Sequence, residues 1–194
     1  MNHGAERARS AAELLPPSAQ RDWLQATLDR ILSEPLRTPT QLAKFHLDRA
    51  DGCHRLAGSM QDRSDMLQKL SDQERYDRDL AAKYQASLPP NYPPRFARHA
   101  ELLLAWESAG GDLCYKRDRK RIGERRYPDP TGPVVSFLVI AAEVKPGTTH
   151  NIILCYRGLQ LTPIATKLTG RLAGTIDESK ISVIDKNSNP VQGR

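Results

Sequence analysis

Asp129, Glu143 and Lys145 stand in a spacing that metal-assisted phosphodiester chemistry can use. Pro128-Asp129 is followed, after thirteen residues, by Glu143-Val144-Lys145 at the end of the most apolar run in the chain. Two carboxylates brought together at strand ends could hold Mg²⁺, a hard cation that polarises a phosphodiester and activates water, while the lysine steadies the nucleophile. Glu101, on a preceding helix, offers a third acidic ligand. Just upstream lies a different chemistry. The eleven positions 116–126 hold Lys116, Arg117, Arg119, Lys120, Arg121, Arg125 and Arg126 against only Asp118 and Glu124, so five of the six net positive charges fall there. Concentrated charge of one sign attracts polyanions. Five of these cations are arginines, which fork onto phosphates and guanine edges, and Tyr115 and Tyr127 flank the run where rings could stack on bases.

The Asp129, Glu143-x-Lys145 pattern resembles the PD-(D/E)xK motif of the restriction-endonuclease-like superfamily. The resemblance covers about forty-five residues, counting Glu101, and implies a Mg²⁺-dependent nuclease with Asp129, Glu143 and Glu101 as metal ligands and Lys145 as catalytic partner. The chain departs from that pattern after the lysine, where a helix is expected and Pro146-Gly147 and an apparent strand come first. Asp118-x-Lys120 and Glu178-x-Lys180 satisfy the short half of the motif as well. The competing reading makes Glu143 and Lys145 the solvated end of a core element.

Other chemistries find no support. The chain carries no Walker phosphate loop, GxGxxG, GxSxG or HExxH. Cys53-His54 is adjacent rather than spaced to clamp a metal, with no second pair nearby. His46-Leu47-Asp48-Arg49 matches the H-x-x-R of tyrosine recombinases, whose chemistry also needs an upstream arginine and a distant tyrosine on a larger domain.

The elements that must position these residues follow from periodicity and punctuation. At 194 residues, 39% apolar and 27% charged, the chain can bury one core or two small ones. Three widely separated cysteines, Cys53, Cys114 and Cys155, argue against a disulfide framework and for a reducing, cytoplasmic setting. The first fifteen residues lack the pattern of a secretion signal, and the longest apolar run is too short to cross a bilayer, so no membrane partner is expected. Residues 1–17 read as a flexible arm.

A helical subdomain is expected over 18–88. Ser18 is a suitable cap for a first helix, and Thr38-Pro39-Thr40-Gln41 is a capping box with proline at the first helical position. Leu42, Phe45, Leu47, Leu56 and Leu67 then suit an antiparallel helical hairpin, because His46, Arg49 and Arg63 would occupy the seam of a coiled coil. Ser71-Asp72-Gln73-Glu74 reads as a further capping box, opening a helix with Tyr76, Leu80, Tyr84 and Leu88 on one stripe. The proline-rich stretch 89–94 reads as a linker, and a fourth helix over 95–109 stops at Gly110-Gly111.

Beyond it, 95–184 reads as a mixed subdomain. Residues 112–127 suit a hairpin turning at Ile122-Gly123 or a solvated loop, and the β-branched run 134–144 a buried strand. A turn at Pro146-Gly147, a short strand over 151–156, a helix opened by Thr162-Pro163 and an edge strand over 181–184 follow, with 185–194 as a disordered tail. The sequence thus predicts an α+β protein, predominantly α, with a helical N-terminal half and a small mixed α/β C-terminal half. The expected function is nucleic-acid binding through 116–126 by an accessory protein without a cofactor. The alternatives are the Mg²⁺-dependent nuclease and a non-catalytic helical scaffold that meets a protein partner, or itself, through the N-terminal helices.

Overall fold

The computed structural model describes residues 3–59, 64–117, 128–159 and 161. Seven helices follow one another there: α1 (His3–Ala12), α2 (Ala19–Ser33), α3 (Pro39–Ser59), α4 (Ser64–Ser87), α5 (Pro94–Ser108), α6 (Pro133–Ala142) and α7 (Pro146–Gly158). No sheet occurs among the described residues, which overturns the α+β expectation. The β-type contact present is an isolated antiparallel bridge between Lys116 and Thr131.

The N-terminal caps form as the residue types require. The Ser18 hydroxyl accepts from the Arg21 backbone N–H at 3.2 Å, and Thr38 and Gln41 exchange reciprocal bonds at 2.9 and 3.3 Å. α3 and α4 pair closely as the expected antiparallel hairpin. Ser71, however, opens nothing, because α4 runs unbroken from Ser64 to Ser87 and places Asp72 and Gln73 in its buried interior. A capping box needs free N–H groups ahead of it, and the preceding turn of α4 has already used them.

The residues expected as a loose arm form α1, whose Ala8, Ala11 and Ala12 are fully buried against α2 and α6. Alanine suits this place because it has the highest helix propensity and allows helices to approach closely. One hydrophobic cluster runs from Ala8 to Leu161 and draws on both sides of the proline-rich stretch. Within it the Trp106 and Phe137 rings lie 4.7 Å apart.

The largest corrections fall in the C-terminal half. The run 134–144, expected as a strand, is α6 followed by its C-terminal cap, and 151–156 lies inside α7. Pro133 and Pro146 each occupy the first turn, where a missing N–H costs nothing. No strand is at hand to complete a ladder, so the backbone closes its hydrogen bonds internally and the weak β preference of Val134, Val135 and Val139 is overridden. Val134, Val135, Phe137, Leu138 and Ala141 are buried, which explains why no clean period of 3.6 was visible. The expected turn at Ile122-Gly123, the helix from Thr162, the edge strand over 181–184 and the tail lie outside the described residues.

Candidate functional site

Chain enters and leaves the cationic segment through a closed stem. Lys116 and Thr131 exchange two backbone hydrogen bonds of 2.8 Å each. Gly132, at φ +141°, turns the chain into α6, and a Cβ there would stand 3.3 Å from both the Cys114 carbonyl oxygen and the Tyr115 Cα. The incoming strand of the stem is fastened to the bundle. The Trp106 indole N–H donates to the Asp112 carbonyl, and Arg157 donates to the Leu113 carbonyl, both at 3.0 Å. The Tyr115 hydroxyl and His150 Nδ1 form a 2.5 Å hydrogen bond, with the Arg157 guanidinium 5.9 Å from the Tyr115 ring. Tyr115 is therefore held by α7. Lys116 is exposed and Arg117 half-buried, whereas Arg119, Lys120, Arg121, Arg125, Arg126 and Tyr127 lie outside the described residues.

The carboxylates of the expected metal site go to three places. Asp129 faces the first turn of α7, its Oδ1 so near the backbone that a Cβ on Gly147 would meet it at 2.9 Å. Glu143 caps α6 in the left-handed conformation, φ 51°, and its carboxylate pairs with Arg7 and, at 3.3 Å, with His3 on α1. The Arg7 guanidinium, as donor and as charge, holds the Glu143 carboxyl below the usual range. Lys145 is exposed at the N-terminal cap of α7. Glu101 is buried in α5 between Arg30, at 3.5 Å, and Arg98, at 3.8 Å. No group of three or more metal-ligating side chains converges among the described residues.

Glu101 belongs instead to a buried polar cluster inside the bundle. Arg30 reaches Glu101 and, at 3.7 Å, Glu34, which also pairs with Arg37. On the other side, His46 and Asp77 are fully buried with Nδ1 and Oδ1 2.8 Å apart, and Gln73 donates to the second Asp77 oxygen at 2.7 Å. His46 Nε2 stands 4.0 Å from Glu101. Burial pushes the His46 imidazole below its ordinary value, partly offset by its bond to Asp77. The same bond and the Arg49 charge hold the Asp77 carboxyl below its ordinary value despite burial. This is the histidine and acid arrangement of general-base sites, but the crevice over Glu101, edged by Pro35, Arg37, Leu42 and Arg98, has no room for a water molecule. A reactant cannot reach it, and the cluster ties α2, α3, α4 and α5 together.

Comparison with family models, curated proteins and solved structures finds no match. The site must therefore be read from its own chemistry. Among the described residues a second concavity, of about 320 Å³, opens between α5 and α7. Tyr92, Phe96 and His99 supply one wall, and Thr148, Asn151 and Cys155 stand on the other. Sequence reasoning missed it, because α7 read as a turn and a strand. The visible signal was the spacing of Tyr92, Phe96 and His99, which puts three rings on one helical side. For the buried cluster the signal was the placing of His46 and Arg49 on the apolar seam.

Proposed function

We propose that this chain is a nucleic-acid-binding accessory protein of a reducing cytoplasm, in which segment 116–126 contacts phosphates and the helical bundle is its rigid mount. One observation carries the reading: five of the six net positive charges lie in eleven consecutive positions. The stem supports it, because closing the backbone at Lys116 and Thr131 and fastening it to α7 fixes where the segment leaves the bundle. Phosphate contacts position a protein on a strand without reading its sequence, so binding of broad sequence tolerance is expected. The cytoplasmic setting rests on the three unpaired cysteines. Among the described residues no helix is long and apolar enough to cross a membrane.

The test is a salt titration of binding to fluorescein-labelled duplex and single-stranded 20-mers, read by anisotropy. Each phosphate contact on duplex DNA contributes about −0.9 to the log–log salt slope. Arg121→Ala, Arg125→Ala and Arg126→Ala together should flatten the slope by about 2–3, whereas Arg55→Ala and Arg75→Ala, at exposed positions of the helical hairpin, should leave it unchanged. Equal slopes for the triple variant and the wild type would refute the assignment.

A further inference from the structure

The pocket between α5 and α7 is shaped and polarised for a flat, neutral guest. Tyr92, Phe96 and His99 line one side in sequence, with centroids 5.9 and 6.0 Å apart, so the wall is a row of ring surfaces. Opposite them, the Asn151 amide and Thr148 hydroxyl stand at exposed positions of α7, where they can meet the polar edge of a guest. No Lys, Arg, Asp or Glu lines the cavity, so a charged group seated in it would find no counter-charge. Its volume of about 320 Å³ falls within the range of small-molecule sites.

A second observation points to a ligand. His99 is only 6% exposed, yet its Nδ1 is buried without a hydrogen-bond partner among the described residues. Buried polar atoms are nearly always satisfied, and one on the wall of an open cavity calls for a guest. Burial, helped by the charge of Arg95, lowers the His99 pKa to about 4, so the ring stays neutral and keeps one donor and one acceptor nitrogen. The pocket also has a defined neighbour. His150 and Arg157 of α7 grip Tyr115 and Leu113, where the chain runs into the cationic segment, while Asn151 faces the pocket.

We infer that this pocket takes an unpaired nucleobase from a single-stranded nucleic acid, stacked on the Phe96 side and hydrogen-bonded at its edge by Asn151, while the phosphates lie outside toward segment 116–126. The inference rests on the nucleic-acid reading above and adds strandedness to it. Bases displayed on single strands stack on aromatic side chains and offer their edges to amides, whereas a duplex keeps them stacked within. The aromatic wall and uncharged lining suit a base, and the sugar-phosphate remains with the cations.

The experiment compares a labelled 12-nucleotide single strand with an abasic strand of equal length, and with a duplex, on the full chain. Stacking contributes about 1–3 kcal/mol per base, so the wild type should prefer the base-bearing strand by roughly 5- to 100-fold. Phe96→Ala and Asn151→Leu, both at exposed positions, should each remove most of that preference and leave the salt slope unchanged. In a Cys114→Ser background Cys155 becomes the exposed thiol among the described residues, and the base-bearing strand should slow its alkylation where the abasic strand does not. Equal binding of base-bearing and abasic strands with a steep salt slope overturns the pocket while phosphate binding stands. If neither strand binds, both readings fall. Free adenosine or uridine protecting Cys155 in that case would assign the ring site to a free nucleoside and still overturn the strand.

Discussion

Removing the Glu101 carboxylate should harm this protein more than removing any one arginine beside it. Around Glu101 the bundle holds three guanidiniums, Arg30, Arg37 and Arg98, against two carboxylates, Glu34 and Glu101. Opposite charges about 4 Å apart attract by roughly 4 kcal/mol at the effective dielectric of partly buried sites, and Glu101 faces two such partners. Glu101→Gln keeps the shape but leaves one carboxylate among three cations. Breaking a buried ion pair from one side costs about 3–5 kcal/mol. Arg30→Met leaves two carboxylates with two guanidiniums and should cost about 1–2 kcal/mol, since the lost attraction is offset by relieved repulsion and a desolvation penalty no longer incurred. The double change Arg30→Met with Glu101→Leu should lie closer to the wild type than Glu101→Gln alone. Urea unfolding at pH 7, followed by far-UV circular dichroism, gives each difference against a total of about 5–15 kcal/mol. A Glu101→Gln midpoint within about 1 kcal/mol of the wild type, or an Arg30→Met cost equal to it, would show that the cluster does not count charges in this way.

Glu143 tests the left-handed cap of α6. Its ion pair with Arg7 is exposed enough for salt and water to weaken it, so Glu143→Gly, which accepts φ 51° without strain, should be more stable than Glu143→Ala by about 1 kcal/mol in thermal unfolding. Equal melting temperatures would mean the backbone there is not left-handed. Acid should weaken the fold through His99. Its pKa is near 4 folded and about 6.5 unfolded, so its contribution is fully present above pH 6.5 and is lost as pH falls toward 4. Urea midpoints measured from pH 7 to 4 should fall less steeply in His99→Gln than in the wild type, and parallel curves would remove His99 from the account.

The N-terminal half was legible because its signals are local. Ser18 and the Thr38–Gln41 box mark helix starts by hydrogen bonds a few residues long, and the structure makes those bonds. Ser71 shows where such signals mislead: the same residue pattern can sit inside a helix already under way. α6 was misread because burial around most of its circumference erases amphipathic period, leaving β-branched composition as the visible trait. α7 was lost with it, and with α7 the opposite wall of the pocket. The PD-(D/E)xK spacing was real as sequence but rested on strands to align its ends. A helix and a left-handed cap send Glu143 to α1 instead. The charge concentration at 116–126 needed no fold to be seen.

The Lys116–Thr131 closure has a consequence for how such a chain can diverge. Once the two ends are joined, the bundle is indifferent to how many residues run between them, since doubling the length of a closed stretch costs only about 0.6 kcal/mol. Insertions, deletions and charge swaps between the two anchors can accumulate without disturbing the helices, while Gly132, Tyr115 and Arg157 stay under packing constraint. Descendants of this protein would then keep one scaffold and exchange the cassette that meets the partner.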